Sequence, residues 1–287
     1  MTRHGLERFF ARHADTVRVL VTRVRGSAPR DEGTEMYVAR DGLFGTIGGG
    51  QLEYIVIDEA RALLARGRDK ADLDVPLGPE IGQCCGGRVE IALTRMSAAD
   101  RRDALAAEDA SEKALPELRI FGAGHVGRAL ANLTQHLPVR TMLVDTRREE
   151  LDLCEAEVET RLSAIPEAEV ESAPPGTVFV VATHDHGLDF LITAAALQRA
   201  DAAYVGLIGS KSKRAKFSKW CREVCDGLRI GGLTCPIGAA GTADKRPAVI
   251  AAFVAAELMA ALTTNATASA RLRRERGSGT VTTVRRH

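Results

Sequence analysis

The sequence has few aromatic residues and no long apolar run. Phe, Trp and Tyr make up only 4% of its 287 residues, so a hydrophobic core must rest on Val, Leu, Ile and Ala. The chain contains no stretch of about 18 apolar residues, which is what a transmembrane helix requires. The first residues also lack the apolar run of a signal peptide. We therefore expect a cytoplasmic protein that does not enter a membrane.

The sequence also lacks a strong net charge. It contains 39 Lys and Arg residues and 38 Asp and Glu residues, which leaves a net charge of +1. Six arginines and one glutamate fall in residues 271–287, so the rest of the chain is mildly acidic. An acidic body offers no basic face to nucleic acid, and we expect no nucleic-acid partner. The polar, arginine-rich stretch 266–287 predicts a basic, disordered tail.

The six cysteines do not indicate a disulfide framework, because the sequence shows no export signal. Two of them, Cys84 and Cys85, are adjacent; Gln83 precedes them and Gly86-Gly87 follows. The flanking glycines predict an exposed turn with free thiols rather than core packing. A zinc site is disfavoured, because no Cys-x-x-Cys motif or histidine pair stands nearby. Soft thiolates suit a soft or sulfur-bearing metal centre, so these two cysteines are the candidate metal contacts.

Composition divides the chain into three regions. Residues 1–108 mix short strands with one clear helix, which predicts a small α+β domain carrying the thiol turn. Residues 116–265 alternate apolar strands with helical segments, which is typical of a parallel sheet covered on both faces. We predict an α/β, Rossmann-like, doubly wound sheet there. A polar, alanine-rich stretch from 97 to 116 is expected to bridge the two domains, and residues 266–287 form the tail.

A glycine fingerprint opens the second domain. Gly122, Gly124 and Gly127 follow a predicted strand and begin a predicted helix, and Asp145 ends the next strand. In this context the pattern predicts a dinucleotide-binding turn. Its glycines allow close approach of the backbone, and the helix N-terminus offers amide hydrogens to a phosphate.

The ligand of that turn stays open at this point. Asp145 suits the ribose hydroxyls of NAD, whereas Arg147 and Arg148 suit the 2′-phosphate of NADP. The alternative is an inherited scaffold that binds another phosphate-bearing molecule, because a fold does not dictate its ligand.

Two further turns follow predicted strands. His184, Asp185 and His186 stand where open α/β sheets place their ligands, and such residues bind metals, move protons or hold phosphates. The alternative is that Asp185 caps the next helix while the histidines pack locally. Ser210 is a hydroxyl helix cap next to a cluster of cations, which favours an anion in the same crevice.

Two loops of the first domain are candidates for the phosphate end of a ligand. Arg30 stands in a stiff turn directly after Pro29. Gly48, Gly49 and Gly50 open a helix and resemble a phosphate cradle.

Taken together, these motifs resemble the XdhC branch of the XdhC/CoxI family, the accessory proteins of xanthine dehydrogenase maturation. The resemblance runs in order through nearly the whole chain and leaves out the C-terminal tail. Its motifs are Arg25-Gly-Ser-Ala-Pro-Arg30, Gly45-Thr-Ile-Gly-Gly-Gly50, Leu52-Glu53, Gly82-Gln-Cys-Cys-Gly-Gly87, Phe121-Gly-Ala-Gly-His-Val-Gly127, Thr183-His-Asp-His186, Gly206-Leu-Ile-Gly-Ser210, Pro236-Ile-Gly238 and Asp244-Lys-Arg-Pro247. Residues 236–240 lack the acidic residue of wider relatives, which favours the xanthine dehydrogenase branch over carbon monoxide dehydrogenase relatives.

The resemblance implies a cytosolic, usually dimeric protein that binds molybdenum cofactor (molybdopterin). It implies protection of the form with a terminal sulfido ligand and delivery to the molybdenum subunit of xanthine dehydrogenase. A cysteine desulfurase is the second implied partner, and the family's thiol motif falls at Cys84 and Cys85. On this interpretation the protein is a chaperone, and no catalytic residue is assigned. We expect the cofactor to lie between the domains, with molybdenum near one of these cysteines.

Three other functions remain open. An NAD(P)-dependent oxidoreductase would use His184, Asp185 or His186 as its proton donor, but it would leave the thiol turn without a role. A nucleotidyltransferase that modifies the cofactor would need a paired-acid metal motif, and none is evident in the sequence. A scaffold that recruits partners without holding cofactor is the third.

Overall fold

The structure, a computed structural model, describes residues 3–78, 86–238 and 244–277, with side chains as far as residue 263. It divides the chain into two compact units, Met1–Ala114 and Leu115–His287. The boundary falls inside the stretch that the sequence predicts as a bridge.

The first unit is built on one antiparallel sheet. Its described elements are α1 (Arg3–Arg12), β1 (Thr16–Arg25), β2 (Glu35–Ala39), β3 (Leu43–Gly45), α2 (Gly50–Ala65), β4 (Lys70–Pro76), β5 (Arg88–Arg95) and α3 (Ala98–Lys113). The strands lie in the order β3-β2-β1-β5-β4, and each neighbouring pair is antiparallel. A hairpin with Asp41 and Gly42 in its turn joins β2 to β3.

Helix α2 packs on one face of this sheet. Leu52, Val56 and Leu63 recur at helical spacing, and all three are buried in one cluster with strand residues such as Val19 and Leu93. Val19 and Leu93 face each other across β1 and β5. Alternate strand residues share a face, as do helix residues three or four apart, so the two apolar surfaces close on each other.

Helix α3 occupies the stretch that was expected to be a bridge. The Ser97 hydroxyl accepts a hydrogen bond from the Asp100 amide at 3.2 Å, and the Asp100 carboxylate accepts one from the Ser97 amide at 2.8 Å. This reciprocal cap starts the helix. Ala104 is buried in a cluster with α1, so α3 is part of the first unit.

The second unit is built on one parallel sheet. Its described elements are β6 (Glu117–Phe121), α4 (His125–Thr134), β7 (Arg140–Asp145), α5 (Arg148–Asp152), β8 (Glu159–Leu162), α6 (Pro166–Glu171), β9 (Val178–Val181), α7 (His186–Gln198), β10 (Tyr204–Leu207), α8 (Lys211–Val224), β11 (Leu233–Thr234) and α9 (Pro247–Gly277). The strand order is β11-β10-β9-β6-β7-β8, with every neighbouring pair parallel. The predicted Rossmann-like sheet is confirmed.

The order in which successive strands are added to the sheet reverses between β6 and β9. Strands β7 and β8 are added on one side of β6, whereas β9, β10 and β11 are added on the other. Phe121, Phe179 and Val180 are fully buried, as expected for central strands with helices on both faces. Open sheets of this kind have a ligand crevice at the carboxyl ends of the two strands where the order reverses.

Helix α9 is longer than the sequence predicts. It begins at Pro247 and runs to Gly277, past residue 265, where the sequence predicts that the second domain ends. Ala, Leu, Arg and Glu in this stretch are strong helix formers, and the disorder of the tail over 266–287 stays a prediction. Residues 278–287 lie outside the described part of the chain. None of the described helices is long and apolar enough to cross a membrane.

A side chain at Gly127 would break the contact between β6 and α4. A Cβ atom there would overlap the carbonyl oxygen of Gly122 and lie 3.0 Å from its carbonyl carbon. We expect Gly127→Ala to lower the free energy of unfolding by about 1–3 kcal/mol, because the turn and helix must move apart. Urea denaturation followed by circular dichroism measures the change. Gly124→Ala is the control, since no described atom lies within 4 Å of a Cβ there; equal losses in both variants would contradict the packing role of Gly127.

Candidate functional site

Three predicted ligand turns lie at the same edge of the parallel sheet. They contain Gly122, His184 and Ser210 and follow β6, β9 and β10. Strands β6 and β9 are adjacent, and the Ala182 amide donates a hydrogen bond to the Phe121 carbonyl at 2.8 Å. Strand β10 lies on the other side of β9. The parallel topology therefore brings the three turns to one edge, as the sequence predicts.

The glycines of the first turn have three different roles. Gly122 has φ +109°, and a Cβ there would overlap the Ala182 carbonyl oxygen. Gly127 lets helix α4 lie directly against Gly122. Gly124 has open space around it, because no described atom lies within 4 Å of a Cβ at that position. In a dinucleotide-binding turn the three glycines have these same roles: one permits the tight turn, one lets the ligand approach the backbone, and one lets the helix pack closely.

Helix α4 begins without a side-chain cap. Gly124 is its N-cap, and none of the described side chains accepts a hydrogen bond from the first turn. The first amides of a helix have no partner within the helix and carry the positive end of its dipole. Such a helix start suits a phosphate.

A shallow hollow, partly open to solvent, lies beside this turn; its space of about 200 Å³ includes open solvent, and the enclosed part holds about one water molecule. Its lining is Phe121, Gly122, Val144, Asp145, Thr146, Pro166, Thr183, His184, Leu188 and Ile192. Most of the lining is apolar, and Asp145, Thr183 and His184 add polar groups. The hollow therefore offers a partly apolar surface at this edge of the sheet rather than an enclosed ligand cavity.

Asp145, the acid of the fingerprint, has a fully engaged carboxylate. Its Oδ1 accepts from the Arg147 amide at 2.9 Å and from Arg147 Nε at 3.1 Å. Its Oδ2 accepts from the Ala123 amide at 2.6 Å and from Arg147 Nη2 at 3.3 Å. Burial raises the pKa of Asp145, but these hydrogen bonds outweigh burial and hold the pKa below its ordinary value. The side chain is only 3% exposed.

Arg128, on helix α4, stabilises the same turn by hydrogen bonds. Its Nη1 donates to the Ala123 carbonyl and to Glu150 Oε2, both at 2.5 Å. Glu150 also lies 3.5 Å from Arg147 Nη1. Ala123 is thus held at its amide by Asp145 and at its carbonyl by Arg128, and one network of charges fixes the glycine turn.

In the turn after β9, Asp185 caps a helix and His184 faces the pocket. Asp185 caps helix α7, since its Oδ1 accepts from the Leu188 amide at 2.8 Å. Hydrogen bonds from the backbone lower the pKa of Asp185. His184 lines the pocket, whereas His186 is exposed as the first residue of α7. The capping interpretation therefore describes Asp185, and ligand contact by these residues stays a prediction.

Asp189 and Lys213 form a buried ion pair beside this turn, which the sequence does not reveal. Their side chains are 1% and 9% exposed. Asp189 Oδ1 also accepts from the Thr183 amide at 2.9 Å and from Thr183 Oγ1 at 2.7 Å. The pair ties the turn after β9 to helix α8. The partners stand 24 positions apart on different helices, so no local sequence pattern marks them.

Ser210 is the helix cap that the sequence predicts. Its Oγ accepts from the Lys213 amide at 3.2 Å at the start of α8. The side chain of Lys213 packs against Gly209, where a Cβ would lie 2.6 Å from Lys213 Cδ. The contact of Ser210 with a ligand stays a prediction.

In the first unit, two of the predicted loops lie together. A Cβ at Gly48 would lie 2.5 Å from Pro29 Cγ, so the glycine loop packs on the stiff turn. Arg30, the next residue, is exposed, and its Cγ would lie 3.6 Å from the same Cβ. Gly50 is the first residue of helix α2.

The glycine loop that resembles a phosphate cradle already holds an anion. Glu53 Oε1 accepts from the amides of Ile47 and Gly49, both at 2.9 Å, and from Thr46 Oγ1 at 2.5 Å. The Gly48 amide donates to Thr46 Oγ1 at 3.1 Å. A phosphate in this loop would have to displace Glu53. Burial raises the pKa of Glu53, but the hydrogen bonds outweigh it and leave the pKa lowered.

The thiol turn, Gln83 with Cys84 and Cys85, lies outside the described residues. The chain that follows it is anchored, because the Gly86 amide donates to the Leu77 carbonyl at 2.9 Å. Within the described residues, no group of three or more His, Cys, Asp or Glu side chains is arranged to hold a metal ion. The predicted metal contacts therefore stay a prediction.

Comparison with known proteins finds relatives for both units. A model of the XdhC Rossmann domain matches residues 118–258, and a model of the XdhC and CoxI family matches residues 10–74. The uncharacterized protein YqeB of Escherichia coli (strain K12) is 29% identical over 259 residues, which are 82% of this chain. The chain spans about two fifths of the length of that relative, 41%.

A crystal structure from Bacillus halodurans, described as a xanthine dehydrogenase, is similar in fold. It matches with a TM-score of 0.76 at 17% identity and covers 92% of this chain and 96% of its own. Identity this low supports the fold alone.

Glu53→Gln tests the internal anion of the glycine loop. The lowered pKa means that the carboxylate stabilises the fold above its unfolded-state pKa of about 4.3 and loses this effect as the pH falls through the folded-state pKa. We expect Glu53→Gln to cost about 1–2 kcal/mol at pH 7, and the difference from wild type to shrink in acid. Urea denaturation at several pH values measures both. Glu59→Gln on the same helix is the control, and a loss independent of pH at Glu53 would contradict the ionic role.

Proposed function

Since the chain belongs to the XdhC and CoxI family, we propose that it is an accessory protein that binds molybdenum cofactor and delivers it to xanthine dehydrogenase. Its protein partners would be the molybdenum subunit of that enzyme and a cysteine desulfurase, and its assembly a homodimer. Holding and transferring a cofactor requires binding groups rather than catalytic groups, so no catalytic residue is proposed.

The crevice beside Gly124 carries the binding part of this proposal. Molybdenum cofactor is a pyranopterin with a phosphate at one end and a dithiolene-held molybdenum at the other. The uncapped first turn of α4 suits the phosphate. The hollow beside it offers His184 and a partly apolar surface to one edge of the pterin ring. The residues present therefore fit the phosphate of the cofactor, and they offer its ring a surface rather than an enclosed pocket.

The chain's own residues would bind and shield the cofactor. The amides of His125 and Val126 would donate to phosphate oxygens at the start of α4. Leu188 and Ile192 would exclude water from one side of the ring. When bound, the cofactor supplies the molybdenum–sulfur centre that the client enzyme uses.

We propose separately that the thiols of Cys84 and Cys85, in the first unit, contact molybdenum, because soft thiolates suit a soft or sulfur-bearing metal centre. Gly87, just beyond them, has no room for a side chain. A Cβ there would overlap the Ser27 carbonyl oxygen and lie 2.9 Å from the Arg25 carbonyl oxygen. This contact fixes the backbone at Gly87 against the segment that contains Arg25 and Ser27.

An NAD(P)-dependent oxidoreductase is the second candidate, because the strand order and the glycine turn are typical of dinucleotide-binding domains. His184 would be its proton donor. Titration of the full chain with NAD, NADP and purified cofactor, followed by an assay for hydride transfer, separates the two functions. Nucleotide turnover without cofactor binding would favour the oxidoreductase. Magnesium-dependent consumption of a nucleoside triphosphate would instead indicate a cofactor-modifying nucleotidyltransferase.

Gly124→Ala tests the crevice as the phosphate site. The added methyl meets no described atom, so the fold is kept, but it stands where the phosphate must approach the α4 amides. We expect at least about tenfold weaker cofactor binding. The measurements are the molybdenum and pterin content of protein purified from cofactor-producing cells, and titration with released cofactor. Gly231→Ala, which also meets no described atom, is the control; wild-type cofactor content in Gly124→Ala would remove the crevice from the proposed function.

Cys84→Ala and Cys85→Ala test the thiol turn. If a thiolate contacts molybdenum, we expect at least one of them to lower the molybdenum content about tenfold, while pterin binding through the phosphate is reduced less. Metal and pterin analysis of the purified variants measures both. Cys154→Ala, which removes a thiol from the hydrophobic packing of the second unit, is the control. Wild-type molybdenum in both variants would exclude a thiol contact.

A further inference from the structure

Asp145 occupies the position at which a dinucleotide fingerprint places its ribose-binding acid. It ends β7 and lines the pocket. A carboxylate has about four lone-pair sites. Those of Asp145 are taken by the amides of Ala123 and Arg147 and by Nε and Nη2 of Arg147. A ribose diol needs an acceptor that is open, and here it would have to displace donors.

Displacement would have to remove the guanidinium of Arg147. The two amide donors belong to the backbone of the turns after β6 and β7, and their removal would open those turns. The guanidinium is a forked, charge-assisted donor, which is a strong partner for a carboxylate. It is also held by Glu150, 3.5 Å from its Nη1, and Glu150 is paired in turn with Arg128. With its side chain 28% exposed and held by both Asp145 and Glu150, Arg147 is not a free surface arginine.

We infer that Arg147 is a specificity-determining residue that closes Asp145 to ribose hydroxyls, so that the crevice takes a phosphate-bearing ring ligand without a ribose diol. The identity of that ligand, a pterin phosphate, rests on the proposed function. The rejection of ribose rests on the bonds between Arg147 and Asp145.

The crevice rejects a ribose diol because a buried polar group that is left without a partner costs more free energy than a hydrogen bond gains. Hydroxyls that enter such a site lose their water partners, and they recover the cost only when protein acceptors are open. Asp145 offers none while Arg147 is in place. A ligand whose ring and phosphate use the pocket and the α4 amides does not meet this cost.

Arg147→Ala tests the inference by a gain of binding. The variant keeps both backbone donors to Asp145 and frees the two lone-pair sites that the guanidinium occupies. We expect ADP-ribose and NAD to bind at least about tenfold more tightly to the full-length variant than to wild type, as measured by isothermal titration calorimetry. This gain would run against charge, since the variant has lost a cation and both ligands are anionic.

Arg161→Ala is the matched control. Arg161 lies on β8, next to β7, is 48% exposed and pairs with Glu159. Its replacement removes the same charge from the same side of the sheet and leaves the donors of Asp145 in place. We expect wild-type affinity for ADP-ribose in this variant. An equal gain in both variants would indicate a general electrostatic effect and would overturn the inference.

Three other results would overturn it. One is wild type binding ADP-ribose as tightly as Arg147→Ala does. The second is no gain in Arg147→Ala or in Arg147→Gln, the second variant, used with circular dichroism to establish that the fold is kept. The third is a wild-type preference for NADP that Arg147→Ala abolishes, which would make Arg147 a phosphate ligand.

A different result would contradict the proposed function: wild-type protein purified from cofactor-producing cells would carry neither molybdenum nor pterin. A gain of ADP-ribose binding in Arg147→Ala supports the role of Arg147 whether or not that happens.

Discussion

Close backbone contact at Gly122 and Gly127 sets the geometry of the ligand edge in the second unit. The missing side chain of Gly127 lets α4 lie against the Gly122 carbonyl, and that of Gly122 lets the turn after β6 lie against Ala182 at the end of β9. Helix α4 therefore begins where the strand order reverses. Its uncapped first turn and the neighbouring pocket are both consequences of this contact.

Each unit contains a glycine-rich loop, and each loop is satisfied by a carboxylate of the chain itself. Glu53 accepts from the amides of Ile47 and Gly49 in the first unit, and Asp145 accepts from the Ala123 amide in the second. The two loops differ in whether backbone amides remain free to bind a ligand. The Glu53 carboxylate lies within the loop it stabilises, whereas Asp145 engages the turn ahead of α4 and leaves the first turn of that helix uncapped. Of the two predicted phosphate sites, the second unit's therefore needs no displacement.

The second unit can be predicted from its sequence more fully than the first, because its signals are local. Apolar strands, glycine turns and helices follow one another along this unit, and its strand order confirms the predicted parallel sheet. Strand β4 of the first unit shows the opposite case. Lys70–Pro76 contains two aspartates and a proline, which strands disfavour, and it becomes a strand by pairing with β5 at the edge of the sheet. Pairing between separate segments, more than propensity, decides such a strand.

For the candidate site, too, the sequence predicts local features and misses those that depend on contacts between separate segments. The sequence identifies residues that reach the crevice, such as Asp145 and His184, because position at a strand end is a local property. It does not show what they are already bonded to, and the pairs Asp145–Arg147 and Asp189–Lys213 depend on side-chain geometry. A fingerprint therefore predicts the shape of a turn better than its ligand. The ligand depends on the polar groups that stay open after the protein has satisfied its own, and in this crevice the phosphate-binding amides are open while the ribose acid is closed.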